Sequence, residues 1–145
     1  MLNERSRKQL AFEHCRLVNA GDVEGLLDLY ADEAVFEDPV GWIRRTGRDA
    51  LRSHFQRAVA GNTHEAPGEP VAAQDDVHVL IPVIAIMDYL PQGLSFVRRG
   101  WMRPPQNPVG RRLKRYSVLM FRVDGSGRIE ELRVFWGRSD LAVIR

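Results

Sequence analysis

In the first sixty residues, apolar side chains recur at the spacing of α-helices. Residues 4–20 place them near the helical period of about 3.6 residues, and Gly21 stands where a helix needs a left-handed residue to end. Asp22 is a favourable N-cap for a second, short helix. Residues 48–60 carry apolar side chains at helical spacing and are followed by Gly61. The pattern therefore predicts three N-terminal helices.

From residue 63 onward, the apolar pattern becomes that of β-strands separated by turns. Five strands are predicted, over residues 63–74, 77–89, 94–102, 112–123 and 128–136. Residues 91–93 and 124–127 are typical of hairpin turns, and residues 104–110 form a longer loop. Helices followed by a run of antiparallel strands predict an α+β fold, here a single domain over residues 1–145.

The predicted strand 77–89 is apolar almost throughout, which is typical of a strand covered on both faces. Pro82 in its middle conflicts with that interpretation, because proline has no N–H to donate to the sheet. A bulge or an edge position is expected to absorb it. A curved sheet wrapped around the helices would enclose a cone-shaped pocket that is open at one end.

Asp38 ends an apolar strand and is followed at once by Pro39. Side chains on a strand alternate, so Asp38 shares a face with Ala34 and Phe36 and is expected to point into the apolar interior. Burial disfavours a charged carboxylate, so a raised pKa is expected, which would make Asp38 a better proton acceptor than a surface aspartate. An aspartate before proline is equally typical of a plain turn. The residues alone leave both interpretations open.

Composition narrows the class of protein. The chain has 145 residues, of which 44% are hydrophobic, and this is enough for a sizeable core. The single cysteine, Cys15, excludes an internal disulfide and supplies no metal cluster. Neither a signal segment nor a long apolar run is present, so a cytoplasmic protein without a membrane partner is expected.

Charge and motif content argue against metals, cofactors and nucleic acids. The four histidines lack the spacing of a metal site, and no glycine-rich phosphate loop occurs, so neither a metal nor a cofactor is expected. Basic side chains gather at residues 98–99, 103, 111–112 and 114–115. They are balanced by 19 acidic residues and come without a nucleic-acid motif, so solvated sheet faces explain them and no nucleic-acid partner is expected.

The chain resembles the ketosteroid isomerase branch of the NTF2-like (SnoaL-like) superfamily in the runs 19–22, 26–31 and 36–41, and in Gly47, Ala50 and Leu51. The resemblance implies a cone of curved, mostly antiparallel sheet around three N-terminal helices. In the isomerases a tyrosine and a protonated aspartate stabilise the enolate. Those positions hold His14 and Leu119 here, and leucine has no proton to donate. Steroid isomerisation is therefore not expected.

A closer resemblance is to the polyether epoxide hydrolase/cyclase family of ionophore antibiotic biosynthesis. It is carried by residues 13–16, 37–41, 71–75, 87–91 and 136–140, and by the acid at Glu65. The resemblance implies a catalytic pair in which Asp38 is the general base and Glu65 the general acid, with no cofactor. It also implies an apolar, polyketide-derived polyepoxide as substrate, in which an internal hydroxyl opens an epoxide and closes a cyclic ether.

Further residues are candidates for holding such a substrate. His14 would be a polar contact near Asp38. Six large side chains would shape the pocket: Trp42, Phe55, Met87, Tyr89, Trp101 and Trp136. Taken singly, the histidine and each tryptophan are more often core residues, and Glu65 would be a solvated strand residue in most chains. Their weight comes from the resemblance.

Several alternatives keep the same fold. One is a dehydrative pyran-forming cyclase, and another is an epoxide hydrolase that uses water, which a basic residue wedged between two acids would favour. A proton shuttle of the ketosteroid isomerase kind is a third. A non-enzymatic alternative is a regulatory or assembly subunit of a paired cyclase. A homodimer through the outer face of the sheet, or pairing with a homologous copy, is also expected.

Overall fold

The computed structural model describes residues 2–145. The helices are α1 (Glu4–Ala20), α2 (Val23–Asp28), α3 (Arg48–Ala60) and α4 (Gln92–Arg98), with a short 3₁₀ turn at Arg138–Asp140. The strands are β1 (Tyr30–Glu37), β2 (Arg44–Thr46), β3 (His64–Pro67), β4 (Val71–Ala72), β5 (His78–Asp88), β6 (Arg112–Val123), β7 (Ile129–Phe135) and β8 (Leu141–Ile144).

Within this part of the chain, the strands form one curved, mixed sheet in the order β2-β1-β7-β6-β5-β3. The short strands β4 and β8 pair with β5 and β6, respectively. The pairing is antiparallel except between β1 and β7, which run parallel. The predicted α+β fold with a mostly antiparallel sheet around the N-terminal helices is confirmed.

The helices α1 and α3 match their predicted bounds, and local chemistry explains why. Asn3 accepts a hydrogen bond from the Ser6 N–H and caps α1, while Gly21, with φ of 68°, ends it in the left-handed conformation. Asp22 accepts from the Gly25 N–H and caps α2 as predicted. The buried faces of these helices pack on β1, β5, β6 and β7 to form the main core.

The predicted strand over residues 94–102 is wrong, since residues 92–98 form α4. A short apolar run of this kind fits either a buried strand or a buried helix, and Pro91 immediately before the first helical residue favours the helix. The hairpin turn predicted at residues 91–93 is wrong for the same reason. Phe96 of α4 packs with Tyr89, Met87 and Leu113 in a second, smaller apolar cluster.

The strand predicted over residues 63–74 is two short strands, β3 and β4, separated at Gly68 and Pro70. This break also resolves the conflict over Pro82 in β5. The Pro82 carbonyl accepts a hydrogen bond from the Gly68 N–H, so the missing N–H of Pro82 faces the interruption and not the continuous ladder with β6. The sequence pattern did not predict β2 or β8.

The expectation that β5 is covered on both faces is wrong within this chain. Its residues alternate between buried and partly exposed positions along the whole strand. Ile81, Val83, Ala85 and Met87 face the interior, whereas Leu80 on the outer face is 37% exposed. None of the helices in residues 2–145 combines the length and the apolar character that a membrane span requires.

Candidate active site

A cavity of about 230 Å³ lies between α1, α3 and the inner face of the sheet, with α4 beside it. Its lining includes all three of the polar residues that the sequence singled out, namely Asp38, Glu65 and His14. Asp38 and Glu65 come from β-segments at opposite sides of the sheet, which the curvature brings to one space. The fold therefore places the predicted catalytic pair at a shared site.

Asp38 follows the last residue of β1, and its side chain is only 9% exposed. Beyond it, one backbone hydrogen bond ties the chain to β7, since the Val40 N–H donates to the Val134 carbonyl at 2.9 Å. The Trp136 indole N–H donates to Asp38 Oδ1 at 2.7 Å. His54 Nε2 lies 3.3 Å from Asp38 Oδ2. The carboxyl group is thus fixed on both oxygens.

The expectation of a raised pKa for Asp38 is wrong, although its premise of burial holds. Burial by itself raises the pKa of this carboxyl. The charge of Arg115, the contact with His54 and the hydrogen bond from Trp136 outweigh burial and hold the pKa well below its usual range. Asp38 is therefore an ionised carboxylate at neutral pH.

Glu65 is held by its backbone as well as by packing. The Asn19 side chain of α1 donates to the Glu65 carbonyl at 2.8 Å and accepts from the Glu65 N–H at 2.6 Å. On the other side, Glu65 pairs with Ala85 of β5. The side chain is 6% exposed, and its Oε1 has no hydrogen-bond partner within the described chain. Asn19 is a positioning residue for which the sequence offered no signal.

The surroundings of Glu65 favour its neutral form. Burial raises its pKa to about 7; the charge of Arg115 and the Cys15 thiol oppose this rise, and the negative charge of Asp38 adds to it. Near neutral pH a large share of Glu65 is therefore a protonated carboxylic acid. Cys15 lies buried against it, and burial raises the pKa of its thiol, so this cysteine is inert as a nucleophile.

His14, on α1, lies between Tyr30 and Glu65 at the wall of the cavity. Its Nδ1 lies 3.2 Å from the Tyr30 hydroxyl, and its Nε2 lies 4.0 Å from Glu65 Oε1. Burial, with a smaller contribution from the charge of His54, lowers the pKa of His14 to about 3. The ring is neutral, and the predicted polar contact lies nearer to Glu65 than the sequence suggested.

Arg115 is the residue that sequence reasoning placed wrongly. It was assigned to a solvated sheet face, but its exposed fraction is only 8% and it lines the cavity. Its guanidinium lies 5.4 Å from the Trp136 ring centre, and its charge acts on both carboxyls. The signal was present in β6, because Leu113, Ser117 and Leu119 alternate with solvent-facing residues and Arg115 shares their side.

The sequence analysis considered His54 only as a possible metal ligand and did not predict its contact with Asp38. It lies one residue before buried Phe55 and three after buried Leu51, on the inward face of α3. No group of three histidine, cysteine, aspartate or glutamate side chains within residues 2–145 is arranged to hold a metal ion.

Four of the six predicted shaping residues line the cavity: Trp42, Phe55, Met87 and Trp136. The prediction is wrong for Tyr89 and Trp101, since neither side chain lines the cavity. Tyr89 is buried beneath α4, so close to Gly93 that a Cβ there would lie 2.1 Å from its ring. Trp101 packs edge-on against Trp42 and Trp136, with ring centres 5.4 and 5.5 Å away. These two side chains support the wall from behind.

Three buried polar atoms of the lining have no hydrogen-bond partner within residues 2–145. They are Thr63 Oγ1, Glu65 Oε1 and Arg115 Nε. Buried polar atoms in proteins are nearly always paired, so a group left unpaired at a cavity needs an explanation. A ligand with oxygen atoms would satisfy these atoms, whereas a purely apolar one would not.

Comparison with known proteins agrees with this geometry. The model of the SnoaL-like domain matches residues 11–132. Epoxide hydrolase LasB of Streptomyces lasalocidi is 43% identical over 144 residues, which are 98% of this chain and 51% of LasB. The chain therefore spans about half the length of that curated relative.

Solved structures give the same assignment. The epoxide hydrolase/cyclase-like enzyme SalBIII, described in pyran ring formation in the polyether salinomycin, superimposes with a TM-score of 0.83 at 32% identity, covering 99% of this chain and all of SalBIII. A designed 17-OHP binder and RV0760c from Mycobacterium tuberculosis both give a TM-score of 0.77, at 16% and 19% identity over 99% of this chain and 99% and 100% of theirs, and share the fold alone. The chain thus belongs to the SnoaL-like family, in the branch that contains LasB and SalBIII.

Proposed function

We propose that this chain catalyses the opening of an epoxide by a hydroxyl group of the same molecule, which closes a cyclic ether. The substrate is a flexible, largely apolar polyepoxide derived from a polyketide. Asp38 is the general base and Glu65 the general acid. The observation that carries the proposal is that Asp38 and Glu65 line one cavity, where their surroundings hold the pKa of Asp38 well below its usual range and raise the pKa of Glu65 to about 7.

The atoms balance without a cofactor or a second reactant. The hydroxyl oxygen attacks an epoxide carbon, and the bond from that carbon to the epoxide oxygen breaks. Glu65 gives its proton to the departing oxygen, and Asp38 takes the proton of the attacking hydroxyl. The product is an isomer of the substrate, and a proton passing from Asp38 back to Glu65 restores the site.

A low pKa makes Asp38 a weak base, and a weak base is sufficient for this reaction. As the new carbon–oxygen bond forms, the attacking oxygen becomes positively charged and its proton becomes strongly acidic, so a weak base removes it. The fixed negative charge of Asp38 also stabilises that developing positive charge. A low pKa then lets Asp38 release the proton readily after the reaction.

Rigid positioning supports the same assignment. The hydrogen bond from Trp136 fixes the Asp38 carboxylate, and the Asn19 clamp fixes the backbone of Glu65. Effective ring closure needs the hydroxyl oxygen and the epoxide carbon at roughly 3 to 3.5 Å in line. A cavity of about 230 Å³ is smaller than a typical pocket for a whole drug-sized ligand, so it holds the reacting segment of a longer chain.

Steroid isomerisation is less well supported by the same cavity. Of the two positions that carry oxyanion donors in the isomerases, Leu119 lines the cavity with an apolar side chain. The other, His14, is turned towards Tyr30 and Glu65. An enolate formed here would lack one of the two donors that stabilise it in those enzymes.

Arg115 favours a second candidate function, epoxide hydrolysis by water. A cation that acts on both acids is the feature expected of a site that activates water. In that case Asp38 would deprotonate a water molecule, and Glu65 would still protonate the epoxide oxygen. The likeness to SalBIII favours a third outcome, formation of a pyran ring by the same two acids.

One product analysis separates these candidates. The protein is incubated with a bisepoxide that carries an internal hydroxyl, in water enriched in the heavy oxygen isotope. A cyclic ether without the heavy isotope supports the proposal, whereas a diol containing it supports hydrolysis. A pyran formed with loss of water from a hydroxylated analogue supports the dehydrative reaction. An inert protein that accelerates a homologous cyclase supports the assembly role.

We also propose that the outer face of the sheet pairs two copies of this domain. Leu80, Tyr116 and Phe135 are 37%, 52% and 40% exposed, and the register of β5, β6 and β7 puts them on the same face with Val118. Contiguous exposed apolar side chains of this kind mark interaction surfaces. Tyr116→Glu should convert a dimer to a monomer in size-exclusion chromatography with light scattering, whereas a monomeric wild type would overturn the proposal.

A further inference from the structure

Three arginines from separate elements meet where the cavity opens. Arg45 lies in β2, Arg57 in α3 and Arg99 directly after α4, and all three line the cavity that contains Asp38 and Glu65. Arg57 and Arg99 are exposed and Arg45 is half-buried, whereas the side chains of Asp38 and Glu65 are only 9% and 6% exposed. This arginine cluster therefore lies at the mouth, and the reacting acids lie deeper.

Among residues 2–145, the arginine cluster has no carboxylate partner. Other arginines form ion pairs, such as Arg44 with Glu131 and Arg52 with Glu24. Within residues 2–145, no carboxylate lies within 4.0 Å of the guanidinium nitrogens of Arg45, Arg57 or Arg99. Each of these positive charges adds to the repulsion felt by the others.

The mutual repulsion lowers the pKa values of two of these arginines. Partial loss of solvent contact lowers the pKa of Arg57, and the charge of Arg45 lowers it further. For Arg99, burial is again the first cause, followed by the charges of Arg45, Arg57 and Arg98. Concentrating like charges in one place costs free energy, and an anion bound among them would recover it.

An aromatic platform holds the cluster in place. The Arg99 guanidinium lies 3.8 Å from the centre of the Trp42 ring, and that of Arg45 lies 5.5 Å from it. Trp42 is fixed in turn by Trp101, which supports it edge-on. Stacking on a ring face leaves the N–H groups at the edge of a guanidinium free to bind oxygen atoms.

We propose that the arginine cluster binds an oxyanion carried by the substrate, while the adjoining carbon chain enters the cavity towards Asp38 and Glu65. This inference rests on the proposed function, because it describes how that substrate is held. The chemistry of the group is that of a carboxylate or a phosphate, which the planar fork of a guanidinium binds with two parallel hydrogen bonds. The source is a free acid terminus or the phosphate of a prosthetic arm that carries the chain.

Anchoring one end of the substrate would fix the distance along the chain at which an epoxide reaches the two acids. The cavity holds only a segment of a long chain, so many epoxides compete for the same two acids. A fixed anion at the mouth limits the competition to the epoxide at a matching distance along the chain. The cluster would thus select which ring closes and would leave the chemical step to the buried pair.

Binding of simple probes tests the inference without any epoxide. Decanoate, decyl phosphate and decanol are titrated into the full chain by calorimetry, with wild type, Arg99→Gln, Arg57→Gln and the control Arg103→Gln. Arg103 is exposed on the neighbouring loop and is not part of the cavity lining. We expect an anionic probe to bind, decanol to bind more weakly, and each cluster variant to weaken the anion about 10- to 100-fold, with Arg103→Gln unchanged.

The outcomes separate the sources and the two proposals. Preference for decanoate assigns the free acid, and preference for decyl phosphate assigns the prosthetic arm. Equal affinity for decanol and both anions, or no effect of Arg99→Gln and Arg57→Gln, overturns the inference while leaving epoxide opening intact. If the anions bind as expected but no epoxide is opened, the proposed function fails and the anion site stands.

A substrate comparison adds a kinetic readout. With an epoxide offered as its carboxylic acid and as its methyl ester, Arg99→Gln should raise KM for the acid about 10-fold or more and leave kcat nearly unchanged. The ester should show a high KM with wild type and variant alike. An ester converted as efficiently as the acid by wild type would overturn the proposal.

Discussion

The side chains of the two acids are only 9% and 6% exposed, and yet Asp38 and Glu65 differ in charge. Asp38 receives a hydrogen bond from Trp136, contacts His54, and is influenced by the positive charge of Arg115. Glu65 has an unpartnered Oε1, and the nearest ring nitrogen belongs to a neutral histidine at 4.0 Å. Burial acts in the same direction on both groups, so burial does not explain their difference.

The difference lies in the number of donors that each side of the cavity supplies. Donors and positive charge outweigh desolvation at Asp38, whereas desolvation wins at Glu65 and brings its pKa to about 7. An ionised base and a protonated acid can therefore be produced from two carboxyl groups in the same apolar space. Predictions that remove one side at a time test whether this asymmetry drives catalysis.

Removing the charge of Asp38 should have the largest effect. Asp38→Asn keeps the shape but has no carboxylate to accept a proton, so turnover should fall about 10²- to 10⁴-fold in single-turnover assays of cyclic ether formation. Asp32→Asn is the matched control, since Asp32 is exposed on β1, the strand that leads to Asp38. Unchanged turnover in a folded Asp38→Asn variant would show that the base lies elsewhere.

Removing the general acid should lower turnover somewhat less than removing the base. Glu65→Gln resembles the protonated side chain in shape but gives up no proton, so turnover should fall about 10²-fold or more, with binding little changed. Epoxides with better leaving oxygens need less help from an acid and should be less affected. Glu69→Gln, on the exposed loop after β3, is the control. Equal losses for all leaving groups would contradict the acid role.

The position of Asp38 was predictable from the sequence pattern and that of Glu65 only from the family resemblance, whereas the electrostatics of both acids were not predictable. A carboxylate that ends an apolar strand points inwards, and the structure places Asp38 in the cavity accordingly. Its lowered pKa depends on Arg115 and Trp136, which are distant in the chain and approach it only through the pairing of β1, β6 and β7. Alternation along β6 identifies Arg115 as inward-facing, but it does not say what that residue faces.

The same limit applies to the fold. Helices with caps, such as α1, were predicted to the residue because their signals are local. The helix α4 was mistaken for a strand, since its seven residues carry only three apolar side chains, Leu94, Phe96 and Val97, which are too few to reveal a period. The strands β2 and β8 are short and gain their order from partners, Phe36 with Arg45 and Leu113 with Val143, that no local pattern specifies.

The asymmetry also predicts opposite effects on stability. The folded-state pKa of Asp38 is lowered, so its contribution is present above the unfolded value of 3.8 and is lost as pH falls. The folded-state pKa of Glu65 is raised, so stability falls by about 3 kcal/mol as pH rises from 4.5 through about 7. At about pH 8, denaturant unfolding should show Glu65→Gln more stable than wild type and Asp38→Asn less stable. If both variants changed the free energy of unfolding in the same direction, the opposite pKa shifts of Asp38 and Glu65 would be contradicted.

The smallest expected effect concerns Arg115, the one cation that acts on both sides. Its charge lowers the pKa of Glu65, and catalysis needs Glu65 protonated, so the rate should fall as pH rises through about 7. Arg115→Gln removes the opposing charge and should move this alkaline limb upwards by about one pH unit. Lys114→Gln, next to it on the outer face, should leave the profile unchanged. If Arg115 instead activates water, Arg115→Gln should abolish diol formation without moving the alkaline limb. The catalytic group would then consist of the two acids and Arg115.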